Sequence, residues 1–140
     1  MLLNIAIAGI LMLVTTVIHA GGMMMALHSI QSEGGRLKQL LRRRSMFRIA
    51  GIVLLMFLAS LMEVFVWAAT YLVLNAIEGF EKAVYFSMVT YTTLGYGDIV
   101  LHERWRVLAS FEAANGIIMF GWTTAIVMAV IRKVYFSEKQ

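Results

Sequence analysis

The chain has 140 residues, of which 61% are hydrophobic and only 14% charged, whereas soluble domains carry about a quarter charged residues. With a mean hydropathy of +0.81, this excludes an ordinary soluble fold. Outside the apolar runs too little chain remains for a soluble domain of roughly 50 residues. The absence of cysteine excludes disulfides and thiolate metal sites, and the basic residues behind the net charge of +4 sit beside apolar spans, which speaks for membrane topology rather than nucleic acid.

The first apolar run covers residues 1–30, and up to residue 27 its only ionisable side chain is His19. At about 1.5 Å per residue it is long enough to cross a hydrocarbon core of about 30 Å. No Lys or Arg precedes it and it is too long for a secretory signal, so a retained helix is predicted. Residues 31–46 then form a polar, basic loop: Ser32, Glu33, Gly34 and Gly35 break the pattern before Arg36, Lys38, Arg42, Arg43 and Arg44. The positive-inside rule makes this loop cytoplasmic and leaves the amino terminus outside. The stretch 36–48 is also a candidate contact for anionic lipid. Its arginines lie between spans, not within one at helical spacing, so it does not read as a voltage sensor.

A second span is predicted over residues 47–75 and contains Glu63 and Trp67. The next segment, residues 82–92, is too short to cross and is predicted to be a re-entrant helix reaching about halfway into the core. There it meets the irregular stretch 93–97, and non-helical backbone at that depth is tolerated only if buried in protein or lining a watery cavity. The last span, residues 105–135, ends with Arg132 and Lys133, again a cytoplasmic signal. The fold class is therefore an all-α membrane protein with three transmembrane helices, a re-entrant helix and a loop, multi-pass in the plasma (inner) membrane. There is no proline, so any hinge falls to glycine.

Residues 93–97 read Thr-Leu-Gly-Tyr-Gly. Selecting an ion without charged groups takes several oxygens that replace its hydration shell. Aiming successive carbonyls at one axis takes backbone that alternates between left- and right-handed regions, which glycine permits and other residues resist. Gly95 and Gly97 stand where that demand falls, and the Thr93 hydroxyl adds an oxygen at the inner end. Leu94 and Tyr96 are expected to point away from the axis and wedge the strand against surrounding helices. The motif occurs once, so several chains must assemble around one pore.

The run Thr90-Tyr91-Thr92-Thr93-Leu94-Gly95-Tyr96-Gly97-Asp98 resembles the signature of potassium channels, and residues 47–140 resemble their two-helix pore module preceded by an extra helix. The resemblance implies a homotetramer with one central pore. It also implies K+ as the permeant ion, with potassium held by Thr93, Leu94, Gly95 and Tyr96 and the Gly97 carbonyl completing the filter, and no other cofactor. Tyr85 and Phe86 match the aromatic pair of the family's pore helix, and Asp98 the acidic residue after the filter. Leu94 stands where valine is usual and Tyr85 where tryptophan is common, and a Tyr85 hydroxyl is able to reach Asp98. In the family arrangement the carboxyl end of the pore helix favours a cation in the cavity. Thr90 and Thr92 are candidates for ordering the filter from behind.

In the last span Gly116 lies near the family's hinge glycine, with close helix packing as its other reading. Gly121 is a second hinge candidate. Counted helically, Ile117, Phe120, Thr124 and Met128 share the face expected to line the cavity, with Phe120 and Met128 as candidates for a gate that closes by dewetting. Glu112 is expected to hydrogen-bond behind the filter, and Glu63 to pair with Asn115 or be protonated, because intramembrane carboxylates are paired or functional. His19, His28 and His102 lack metal-ligand spacing. They are read as packing or surface residues, with His102 a candidate proton sensor at the outer mouth. Met23, Met24 and Met25 read as apolar packing. The first span is expected to pack at the periphery or serve as an anchor. Passive potassium conduction is the function read here. A weakly selective cation channel and a non-conducting regulatory subunit are the alternatives, and nothing resembles an enzyme's nucleophile and base.

Overall fold

In the computed structural model, residues 1–31 and 41–136 are described, and their regular structure is entirely helical: α1 (Leu2–Gln31), α2 (Leu41–Val73), α3 (Phe80–Tyr91) and α4 (Glu103–Phe136). Three of these contain segments long and apolar enough to cross a membrane, Leu2–Ser29, Met46–Val73 and Glu103–Arg132. The 12 residues of α3 extend about 18 Å, too little for a crossing. The chain is thus an all-α membrane protein.

The basic loop expected over 31–46 is shorter. Gln31 closes α1, and residues 41–46 already belong to α2, since Leu41, Arg42, Arg43, Arg44 and Ser45 include neither glycine nor proline to stop a helix. Residues 32–40, with Arg36 and Lys38, lie outside the described residues, as does the lipid contact expected there. At its other end α2 stops in a Schellman turn. Asn75 takes a left-handed φ of 50°, its N–H donates to Leu72 O at 3.0 Å, and the Ala76 N–H donates to Tyr71 O at 2.9 Å. Asparagine is one of the few side chains that tolerate this position.

Polar contacts fix the helix directions. The Asn4 side chain donates to Arg104 O at 2.5 Å, the Asn115 amide donates to Thr15 Oγ1 at 3.0 Å, and Thr123 Oγ1 lies 3.2 Å from His19 Nε2. Residue numbers rise together in these pairs, so α1 and α4 are parallel. His19 meets Glu63, and a Cβ at Gly22 would meet Ala59 Cβ at 3.2 Å. There the numbers run oppositely, so α2 is antiparallel to α1. α3 packs between α2 and α4 and has no contact with α1 among the described residues. Its burial creates the larger apolar cluster, with Trp67, Tyr71, Phe86, Tyr91, Leu101 and Leu108. A smaller cluster of Ala26, Ile52, Met56, Ile126 and Val130 closes the opposite half of the bundle. α1 lies outside the unit of α2, α3 and α4 yet is fastened to two of them by buried polar groups, which goes beyond an anchor.

Candidate functional site

α3 ends in the same turn as α2. Thr92 is its C-cap, Thr93 takes φ 61°, the Thr93 N–H donates to Thr90 O at 2.9 Å and the Leu94 N–H to Val89 O at 3.0 Å. This is a Schellman motif in which glycine is usual, and a β-branched residue there costs about 1–2 kcal/mol. The Gly95 N–H also reaches Val89 O, at 3.3 Å, so the start of the irregular strand hangs from one carbonyl of the helix. Gly95 and Gly97 follow with φ of 56° and 77°. Leu94 and Tyr96, between them, do not share the positive φ. Left-handed residues at every second position turn successive carbonyls toward a common side.

Leu94 and Tyr96 are 55% and 66% exposed. The wedge expected for them is not made by helices of the same chain, because α2 and α4 pack on α3 and leave the strand at the edge of the subunit. Thr92 Oγ1 donates to Met88 O at 2.7 Å and so closes its own helix, while Thr90 contributes its carbonyl to the turn. The Tyr85 hydroxyl donates to Asp98 Oδ2 at 2.7 Å, and this bond holds the phenol above its ordinary range, with burial and the charges of Asp98 and Tyr96 adding to it. Between these groups a cavity of about 210 Å³ opens behind the strand, lined among others by Phe86, Val89, Thr90 and Arg106.

Glu112 and Glu63 are both fully buried, and each serves α3. Glu112 Oε1 lies 2.5 Å from Ser87 Oγ and Oε2 accepts from the Tyr71 hydroxyl at 2.6 Å. Glu112 therefore grips the middle of α3 rather than the strand beyond it. Ser87 has one proton between Glu112 and Val64 O, which is 2.9 Å away. Glu63 does not pair with Asn115, whose partner is Thr15. Its Oε1 lies 2.8 Å from His19 Nδ1 and its Oε2 accepts from the Tyr91 hydroxyl. The first helix, with no part in the motif, had only to bring a histidine to the right depth for this pairing to displace the expected one.

Tyr91, the last residue of α3, is held on every side. Its ring meets Phe120 edge-on at 5.6 Å, and its carbonyl leaves no room at Gly116, where a Cβ would sit 1.9 Å from Tyr91 O. Close approach is therefore a sufficient reason for glycine at 116. A Cβ at Gly121 would meet nothing within 4 Å. Ile117, Phe120, Gly121, Thr124 and Met128 are exposed along one side of α4, and Thr124 Oγ1 donates to Phe120 O at 2.9 Å. His102 precedes α4 and its carbonyl accepts the Trp105 N–H at 2.8 Å. Reasoning from sequence did not single out Ser87 or Tyr71, gave Tyr91 no role beyond its place in the 90–98 run, and did not see His19 as a partner of Glu63. The only available signal was negative: two carboxylates in apolar spans require partners.

A family model described as "Ion channel" matches residues 57–133, from within α2 through α3 and the 93–97 strand into α4. No curated protein and no solved structure matches the chain.

Proposed function

We propose that this chain, which belongs to the ion channel family, conducts potassium passively through a pore formed by four copies, with the carbonyls of Thr93, Leu94, Gly95, Tyr96 and Gly97 as the filter. The observation that carries this reading is the alternation of backbone hand, with positive φ at residues 93, 95 and 97 and not at 94 and 96. A carbonyl row of that kind replaces the water of a desolvated cation without any acidic side chain. Its exposure in a single chain suits a strand completed by copies of itself, and the exposed side of α4 bearing Ile117, Phe120, Thr124 and Met128 suits a cavity below it. The basic segment before α2 is cytoplasmic and the amino terminus is outside, which places Asp98 and the mouth of the pore on the outer face. The membrane is the plasma membrane.

The test is the reversal potential of the purified protein in liposomes with potassium on one side and sodium on the other. Reversal near the potassium potential supports the filter, and Gly95→Ala removes the selective current. Equal passage of both ions would favour a weakly selective cation pore, a reading to which Leu94 behind the carbonyls lends itself. No flux, unchanged by Gly95→Ala, would leave a regulatory subunit.

A further inference from the structure

We propose that α1 is part of the filter machinery, and that His19 is a positioning residue that acts on the strand through Glu63 and Tyr91. This rests on the reading of residues 93–97 as a filter. His19 is fully buried and stands at the meeting of three helices. Its Nδ1 lies 2.8 Å from Glu63 Oε1 on α2, and its Nε2 lies 3.2 Å from Thr123 Oγ1 on α4. A neutral ring satisfies both, with Nδ1–H donated to the carboxylate and Nε2 accepting from the hydroxyl; this tautomer is assigned from the hydrogen-bond network. The ring also meets that of Trp122 at an angle of 63°, with the centroids 6.2 Å apart.

The second oxygen of Glu63 accepts a hydrogen bond from the Tyr91 hydroxyl. Tyr91 is the residue at which α3 gives way to the Schellman turn. Its backbone is wedged against Gly116, so its side chain is the remaining handle on the orientation of the last helical turn. That turn carries Val89 O, the acceptor for both Leu94 and Gly95. A carboxylate free to rotate would hold the phenol in more than one pose, and the histidine removes that freedom. In a buried site of low dielectric, a chain of hydrogen bonds is stronger than its members taken singly.

The experiment uses the full chain in liposomes with wild type, His19→Leu, His19→Asn, Tyr91→Phe, the His19→Leu/Tyr91→Phe double variant, and His28→Leu as a control on the exposed side of the same helix. Two quantities are read: the potassium-to-sodium permeability ratio, and amide hydrogen exchange at Leu94 and Gly95. His19→Leu and Tyr91→Phe should each lower the ratio and speed the exchange roughly tenfold, the effect of one buried hydrogen bond. The double variant should be no worse than either single one, because both cut the same chain. His19→Asn, which keeps a donor near the Nδ1 position, should recover most of the loss, and His28→Leu should match wild type. Wild-type exchange and ratio in either His19→Leu or Tyr91→Phe overturns the proposal, as does an additive double variant. If His19→Leu yields no assembled protein, Tyr91→Phe and His19→Asn decide by the same criteria. A wild type that does not prefer potassium defeats the filter reading, while the exchange measurement still decides whether His19 governs the strand.

Discussion

Gly95 and Gly116 are both required to be glycine, for different physical reasons, and alanine separates them. At Gly95 a Cβ meets nothing within 4 Å and the constraint is the φ of +56° alone, so Gly95→Ala costs about 1–2 kcal/mol in backbone strain. The helices and their assembly should survive while the carbonyl row is lost, seen as retained helical circular dichroism without selective flux. At Gly116 the φ is ordinary, but the Cβ lands 1.9 Å from a backbone oxygen. Gly116→Ala must push α4 off the end of α3, at about 3 kcal/mol or more, and thermal unfolding in detergent should show it; Gly121→Ala should change stability by less than about 0.5 kcal/mol. Tyr85 supplies a third prediction. Its phenol, held above the ordinary value of 10.0 chiefly by the bond to Asp98, keeps its proton below that value, so the bond persists from neutral to mildly alkaline pH and fades only as pH rises through the raised value. Tyr85→Phe should shorten the time the pore stays conducting at every pH below 10, without altering assembly, and single-channel recording reads this directly. The left-handed backbone at Gly95 and Gly97 was legible in the sequence because its cause is local: glycine is the residue that takes positive φ without strain. The left hand of Thr93 was not, because nothing about threonine announces it; it follows from the turn that ends α3.

At the scale of elements, hydropathy and length were enough to place three spans and one short helix, since burial in lipid writes itself into every residue of a span. Polar pairing across helices was beyond that reach. Glu63 has candidates on every neighbouring helix, and only the relative depth of α1, a matter of a few ångströms, decides for His19 over Asn115. Glu112 tests how α3 is held from the other side. Glu112→Leu leaves the buried Tyr71 hydroxyl without its acceptor and Ser87 with Val64 O alone, a loss of about 1–3 kcal/mol, and the yield of assembled protein should fall. Glu112→Gln keeps an acceptor for Tyr71 and a donor for Ser87, so it should assemble and retain most of its thermal stability. Equal behaviour of the two variants would mean that Glu112 acts by charge and not by hydrogen bonding.

As a whole molecule the single chain exposes the strand proposed as the filter together with one flank of α4, and the proposed assembly of four would cover both. Native mass spectrometry from detergent should give four chains, and Gly95→Ala should leave that number unchanged. α1 is joined to α4 by Asn4 with Arg104 and by Thr15 with Asn115, pairs 100 residues apart in sequence, and by His19 with Thr123, 104 apart. A ribosome adding about 5–20 residues per second delivers the first member of each pair on the order of ten seconds before the second. Through that interval the newborn α1 carries Asn4 and Thr15 into lipid with their partners on α4 still unmade, and His19 with Glu63 as the first of its two partners. Of the described helices, α4 follows the other three and is the one that relieves them. Synthesis of α4 is thereby tied to closure of the subunit, and a chain cut short before α4 carries its own mark of incompleteness in the unpartnered polar groups of α1.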